Sequence, residues 1–187
     1  MADTFIEVPA ELFAPAESSH FEGEIDLGQI VCGPDTYTFE NPVSWSVEVS
    51  NTGDQLLVMG TAQGKATTAC ARCLEDFSLN LVGEIEGCFI IDPSKTPEGL
   101  DEDEFEPLPE DLRIDVEPLV KAALLLELPL VPLCDENCAG LCPHCGANLN
   151  EGPCGCEERP AEDDVPRMSD GRPSPFAALK DFPFSEN

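Results

Sequence analysis

Basic residues are scarce in this chain: nine Lys and Arg stand against 38 Asp and Glu, leaving a formal net charge of −29. Neutralising several phosphates takes a cluster of Lys and Arg, so broad electrostatic binding to nucleic acid is disfavoured. An acidic surface instead steers in a basic protein partner, although charge also serves solubility alone. Long apolar runs are absent too. The longest, around Ala122 to Leu126, is broken by Glu127 and Pro129, so no membrane span is expected. The start, Met1-Ala-Asp-Thr-Phe-Ile-Glu-Val-Pro9, is acidic and lacks the basic and apolar regions of a secretory leader. These absences suggest a soluble, cytoplasmic protein. Histidine is limited to His20 and His144, and no Ser–His–Asp set, phosphate loop or dinucleotide fingerprint is readable. The chain is therefore expected not to be an enzyme.

Cysteine is what the chain has in quantity. Eight of the ten fall in tightly spaced sets: Cys70-Ala-Arg-Cys73, then Cys134-x3-Cys138-x3-Cys142-Pro-His-Cys145, then Cys154-Gly-Cys156. Two residues between cysteines let one tight turn aim both sulfurs at a single ion, and eight thiolates fit two tetrahedral Zn²⁺ sites. A disulfide framework belongs to an oxidising compartment, which the start of the chain does not suggest. A redox Cys-x-x-Cys usually opens a helix after a strand, whereas Cys70 and Cys73 sit between two strand-like stretches. An iron–sulfur cluster uses similar runs, and spacing alone leaves it open. Four thiolates per ion leave no position for water or substrate, so the expected zinc is structural. Each such site adds about two negative charges. His144 reads as an exposed residue of the Cys142 turn rather than as a base. Cys32 and Cys88, left over on strand-like segments, read as buried apolar residues.

The rest of the chain reads as α+β: an antiparallel sheet or partial barrel, one packing helix and a Cys-rich zinc-binding module. Val43, Trp45, Val47 and Val49 alternate with polar residues, as in a half-buried strand. Asn51-Thr-Gly-Asp54 supplies a hairpin turn into a strand from Gln55 that continues to the Cys70 turn. Residues 77–91 suggest a third extended segment and leave a fourth open, and Glu22 to Val31 suggests a weaker one. An acidic, proline-containing loop is expected at about 92–111. Asp115 then caps a helix from Val116 to about Leu128, with Leu119, Ala122, Ala123, Leu126 and Leu130 as its packing stripe, widened by Leu124, Leu125 and Leu128. The expected divisions are a sheet domain over 1–133, a zinc module over 134–156, and an acidic, mostly disordered tail over 157–187 ending in a short helical turn. Arg72 in the first cysteine turn, with Trp45 and Phe77, offers a direct RNA contact as a rival to protein binding.

The Cys70-Ala-Arg-Cys73-Leu-Glu segment, the helix leading into Leu128-Pro-Leu-Val-Pro-Leu133-Cys134, the Cys142-Pro-His-Cys145-Gly-Ala-Asn segment and the closing Pro175-Phe-Ala-Ala-Leu179 together resemble the bacterial YceD family. That resemblance implies a non-enzymatic ribosome biogenesis factor needed for accumulation of large-subunit 23S rRNA. Its partner would be a ribosomal protein or a pre-50S particle. It also implies a pairing of ligands, Cys70, Cys73, Cys134 and Cys138 in one site and Cys142, Cys145, Cys154 and Cys156 in the other. Crossed pairing of Cys70 and Cys73 with Cys142 and Cys145 stays open on the residues alone. Phe176 and Leu179 would be contact residues, although Pro173-Ser-Pro-Phe176 departs from the family's usual lead into that turn.

Elemental analysis of natively purified protein should give two zinc ions per chain and no visible absorbance. Iron with a brown colour, or no metal, would return the iron–sulfur and disulfide readings.

Overall fold

A computed structural model describes residues 4–92 and 105–158. The expected helical turn with Phe176 and Leu179, and most of the expected acidic loop, lie outside these residues. Two compact units divide the chain, Met1–Gly140 and Leu141–Asn187. In the first, the strands are β1 (Phe5–Glu7), β2 (Ser18–Ile25), β3 (Gln29–Cys32), β4 (Asp35–Thr38), β5 (Val43–Asn51), β6 (Gln55–Ala69), β7 (Asp76–Ile90), β8 (Glu106–Pro107) and β9 (Arg113–Asp115). One α-helix among the described residues, α1 (Glu117–Leu126), follows.

The frame is the long β6–β7 hairpin, paired without interruption from Gln55↔Ile90 to Ala69↔Asp76. On its other side β6 pairs with β5, which pairs with β2, while β4 joins β6 near Thr67 and carries β3. All these pairings are antiparallel. Among the described residues no pairing closes this sheet into a barrel. The alternating valines of β5 do face inward: Val43, Trp45, Val47 and Val49 join Leu56, Val58, Ile85 and Phe89 in the core, with Val120, Ala123 and Leu124 of α1. Asn51, at the expected turn, is buried. Its Nδ2 donates to the Leu12 carbonyl (2.7 Å) and its Oδ1 accepts the Gly53 N–H (2.7 Å), which ties the N-terminal segment to the β5–β6 turn.

Three expectations change on the structure. Residues 76–90 form a single strand with no fourth segment split from it, because Gly83 and Gly87 are points of close approach rather than breaks. A Cβ at Gly83 would lie 2.4 Å from the Ala123 carbonyl oxygen, and one at Gly87 would lie 3.2 Å from Leu119. The weak strand foreseen from Glu22 to Val31 is two, β2 and β3, parted at Gly28, which has a φ of +63°. The helix is shorter than 116–128 and turned about its axis. Its start is secured as foreseen, with the Asp115 carboxylate accepting the Glu117 N–H (3.0 Å). It buries Val120, Ala123 and Leu124, whereas Leu126 is 83% exposed and Leu130, beyond its end, fully exposed. Within the stretch expected to be loop, Glu106 and Pro107 pair in parallel with β7.

Replacing Gly83 by Ala should push α1 off the sheet and cost about 1–3 kcal/mol of stability. Chemical denaturation checks this; an unchanged midpoint would mean that the helix does not sit on Gly83.

Candidate metal centres

Cys70 and Cys73 form the tip of the β6–β7 hairpin. There the Cys70 N–H donates to the Glu75 carbonyl (2.9 Å) and the Leu74 N–H donates back to the Cys70 carbonyl (2.9 Å). Closing this turn puts Leu74 in the left-handed region (φ 62°), an uncommon place for a bulky side chain. The other two cysteines arrive from the segment after α1. Tyr37, buried in the sheet, donates its hydroxyl to the Pro129 carbonyl (3.3 Å), and the Ala71 N–H donates to the Pro132 carbonyl (2.8 Å). These bonds hold the Pro129–Leu133 stretch along the sheet and deliver Cys134 and Cys138 to the hairpin tip. The Arg72 guanidinium donates to the carbonyls of Glu136 (3.3 Å) and Cys138 (3.0 Å), clasping the two halves. Phe77 and Leu133 pack against Cys70, Cys73 and Cys138.

The sulfurs of this group suit one tetrahedral ion. Cys70 Sγ lies 3.8 Å from Cys138 Sγ, and Cys73 Sγ 3.7 Å from Cys134 Sγ. A tetrahedron with metal–sulfur bonds of about 2.3 Å has an edge of about 3.8 Å. A disulfide needs about 2.05 Å. A cluster of two or four irons would spread its thiolates over several metal atoms and so farther apart.

In the second unit Cys142, Cys145, Cys154 and Cys156 likewise have ligand atoms within 4.8 Å of one another. Its turn repeats the first bond for bond. The Cys142 N–H donates to the Ala147 carbonyl (2.8 Å), the Gly146 N–H donates to the Cys142 carbonyl (2.9 Å), and Gly146 takes the left-handed conformation (φ 73°) that Leu74 takes in the first. Leu141 bridges to Asn148 to square off the loop. Both groups could thus hold a metal ion, each with four cysteines and no other donor. The sulfurs that gather are those of Cys70, Cys73, Cys134 and Cys138 in one group and of Cys142, Cys145, Cys154 and Cys156 in the other. Reading the sequence missed the left-handed residue after each pair; Gly146 was its visible signal, and Leu74 concealed the same need in the first turn.

The thiols within each group titrate far apart. Burial raises the Cys70 thiol, but the backbone N–H groups of Cys73, Cys134 and Arg72 favour its thiolate and bring it down to about 6. For Cys73 the Glu75 backbone favours the thiolate, yet burial and the neighbouring sulfurs Cys70 and Cys138 leave it raised. Desolvation and hydrogen bonds with Cys138, Cys73 and Cys70 push Cys134 up to about 12. In the second group the Cys145 and His144 backbone N–H groups lower Cys142 to about 6, and Cys145, with desolvation, raises Cys156 to about 12. Cys70 and Cys142 therefore favour the thiolate at neutral pH, and an ion must displace protons from Cys73 and Cys134 in the first group and from Cys154 and Cys156 in the second.

The other residues singled out are less available for contact. Trp45 is 4% exposed and lies across Gly23, where a Cβ would come within 2.8 Å of its ring. Its Nε1 is buried without a hydrogen-bond partner. Cys88 is half-buried, its Sγ 3.3 Å from Gln55 Oε1, whereas Cys32 is exposed rather than packed.

The family model described as large ribosomal RNA subunit accumulation protein YceD matches residues 58–183, a span that contains all eight grouped cysteines. An uncharacterised protein of Mycobacterium tuberculosis is 34% identical over 107 residues, covering 57% of this chain and 51% of its own length. The protein named large ribosomal RNA subunit accumulation protein YCED homolog 1, chloroplastic, from Arabidopsis thaliana is 32% identical over 145 residues, covering 64% and 45%. Its namesake from Zea mays is 30% identical, covering 63% and 50%. The chain spans about half the length of the curated relatives it matches. No solved structure matches it.

Because Cys73 and Cys134 are both raised, zinc binding to the metal-free first group should release at least two protons. Protons compete with the metal, so affinity should fall as pH is lowered and rise as it is raised. Titration calorimetry near neutral pH, in buffers of different protonation enthalpy, measures the release; fewer than two protons per ion would show thiols already ionised.

Proposed function

As the chain belongs to the YceD family, we propose that it is a non-enzymatic ribosome biogenesis factor supporting accumulation of large-subunit 23S rRNA. In this reading it is a zinc-stabilised acidic scaffold, cytoplasmic like the ribosomes it serves, for a basic ribosomal protein or a nascent large-subunit particle. Zinc is held by Cys70, Cys73, Cys134 and Cys138 in one site and by Cys142, Cys145, Cys154 and Cys156 in the other. Residues 1–133 supply the scaffold, 134–156 the cysteine module that completes both sites, and 157–187 an acidic tail in which Phe176 and Leu179 make contacts.

One observation carries the reading: eight cysteines gather into two sets of four, each with the ligand spacing of a single ion. Four thiolates close the coordination shell and leave no position for an activated water, which favours a structural metal over metal-assisted hydrolysis. The same grouping disfavours a dithiol enzyme, which needs two sulfurs free to bond. The charge of −29, deepened by two anionic metal sites, favours a basic protein partner. Direct reading of RNA has less support, since Trp45 is packed in the core and the Arg72 guanidinium is engaged with two carbonyls.

In cells deprived of this protein, the wild-type chain should restore the ratio of 23S to 16S rRNA, and His144→Ala should restore it equally. Paired Cys70→Ser and Cys134→Ser substitutions should fail and leave a first unit that is protease-sensitive with or without chelator. Purified zinc-loaded protein should bind basic large-subunit proteins with an affinity that falls on the order of tenfold between 50 and 200 mM salt. Full restoration by the cysteine variant would sink the structural role of zinc; a folded but inactive His144→Ala would bring catalysis back.

A further inference from the structure

β7 is an edge strand over most of its length. β6 pairs with it throughout, whereas on its other side, among the described residues, only β8 pairs with it, at Phe89 and Ile90. The Ile90 carbonyl accepts the Leu108 N–H (2.9 Å), on the side away from β6, and the Ile91 N–H donates to the Asp54 carbonyl (3.0 Å), on the β6 side. In an antiparallel ladder, alternate residues turn both backbone groups to the same side. The register of β6 and β7 has no bulge. The even-numbered residues therefore face outward, and Ser78, Asn80, Val82, Glu84 and Glu86 present a row of N–H and C=O groups to an edge that is unpaired among the described residues. Such an edge is a template for another extended chain.

Next to this edge is a cleft of about 390 Å³ lined by Leu119, Ala122 and Leu126 of α1 and by Glu84, Glu86 and Glu127. Its apolar side exists because α1 buries Val120, Ala123 and Leu124 instead of the stripe that includes Leu119, Ala122 and Leu126. None of the three carboxylates is paired with a Lys or Arg among the described residues. The side chains of a strand laid along β7 would alternate between two surroundings: apolar α1 on the inner face, and on the outer face Glu84, Glu86 and the 58%-exposed Val82.

We infer that the free edge of β7 docks an extended segment of a basic ribosomal protein, with alternating apolar and Lys or Arg side chains, as an added strand. The apolar side chains enter the α1 cleft, which Glu127 also lines, and the basic ones meet Glu84 and Glu86. This rests on the acidic-scaffold reading above and deepens it by assigning the surface and the partner's pattern. Acidic residues on an edge also keep a protein from pairing with its own copies. A chain of net charge −29 repels a second copy and attracts a basic strand, so the two roles coincide.

The test uses full-length, zinc-loaded protein and a fluorescent ten-residue peptide of alternating lysine and valine, with a twin N-methylated at alternate residues to block pairing at constant charge. Val82→Pro removes an outward N–H and leaves the β6 ladder intact; Glu84→Gln with Glu86→Gln removes charge and keeps shape. The peptide should bind the wild type, and N-methylation or Val82→Pro should each weaken binding about tenfold or more. The Gln pair should weaken it and flatten its salt dependence. No binding to the wild type, equal affinity across peptides and variants, or saturable binding of labelled single-stranded RNA to the protein that Val82→Pro abolishes would each overturn the inference. Persisting salt-sensitive binding of large-subunit proteins to folded Val82→Pro would overturn the edge alone and leave the scaffold standing; loss of that binding by the wild type would overturn both.

Discussion

The convergence of four sulfurs at the tip of the β6–β7 hairpin is the constraint on which the first unit depends. Cys70 and Cys138 are 68 residues apart in sequence, Cys73 and Cys134 are 61 apart, and each pair meets within 3.8 Å. Four sulfurs whose thiolate forms repel one another have little reason of their own to crowd together. The surrounding bonds hold them there: the Arg72 clasp, the Ala71–Pro132 bond and the Tyr37–Pro129 bond. The chain leaving α1 is thereby fixed along the sheet, and with it the position of the helix.

Fixing the helix at its end decides which of its faces is buried. Gly83 and Gly87 let the α1 backbone come down onto β7, and this approach buries Val120, Ala123 and Leu124. The other apolar stripe, with Leu119, Ala122 and Leu126, is left at the margin of the sheet beside the unpaired side of β7. Two features that look unrelated, glycines within a strand and leucines in the open, therefore have one cause.

The cysteine chemistry was legible in the sequence because thiolate spacing is local: two residues between ligands, and a glycine after Cys145, describe a turn without reference to the fold. The long-range partners were not. Only the family resemblance joined Cys70 and Cys73 to Cys134 and Cys138, since nothing in the intervening residues records that the hairpin tip and the helix exit meet. The β5–β6 hairpin was legible from its alternation and its turn. The single β7 strand was not, because Gly83 and Gly87 resemble breaks until the helix above them is seen. Helical periodicity offered two overlapping apolar stripes on α1 and could not choose between them, since the choice depends on where the sheet lies. Short strands such as β1 and β9, three residues each, carry too little pattern to be read.

The two cysteine groups differ in what they bind together. Cys142 to Cys156 lie within a single short loop, so an ion there orders residues that are already neighbours. The first group closes loops of more than sixty residues, and closure entropy grows with the logarithm of loop length, by about 1–2 kcal/mol between the two cases. An ion in the first group consequently restricts far more of the unfolded chain and contributes more to global stability, while one in the second is a matter for its own unit. The hydrogen bonds of the two turns are the same, so the difference lies not in the metal or its turn but in the length of chain that each group closes.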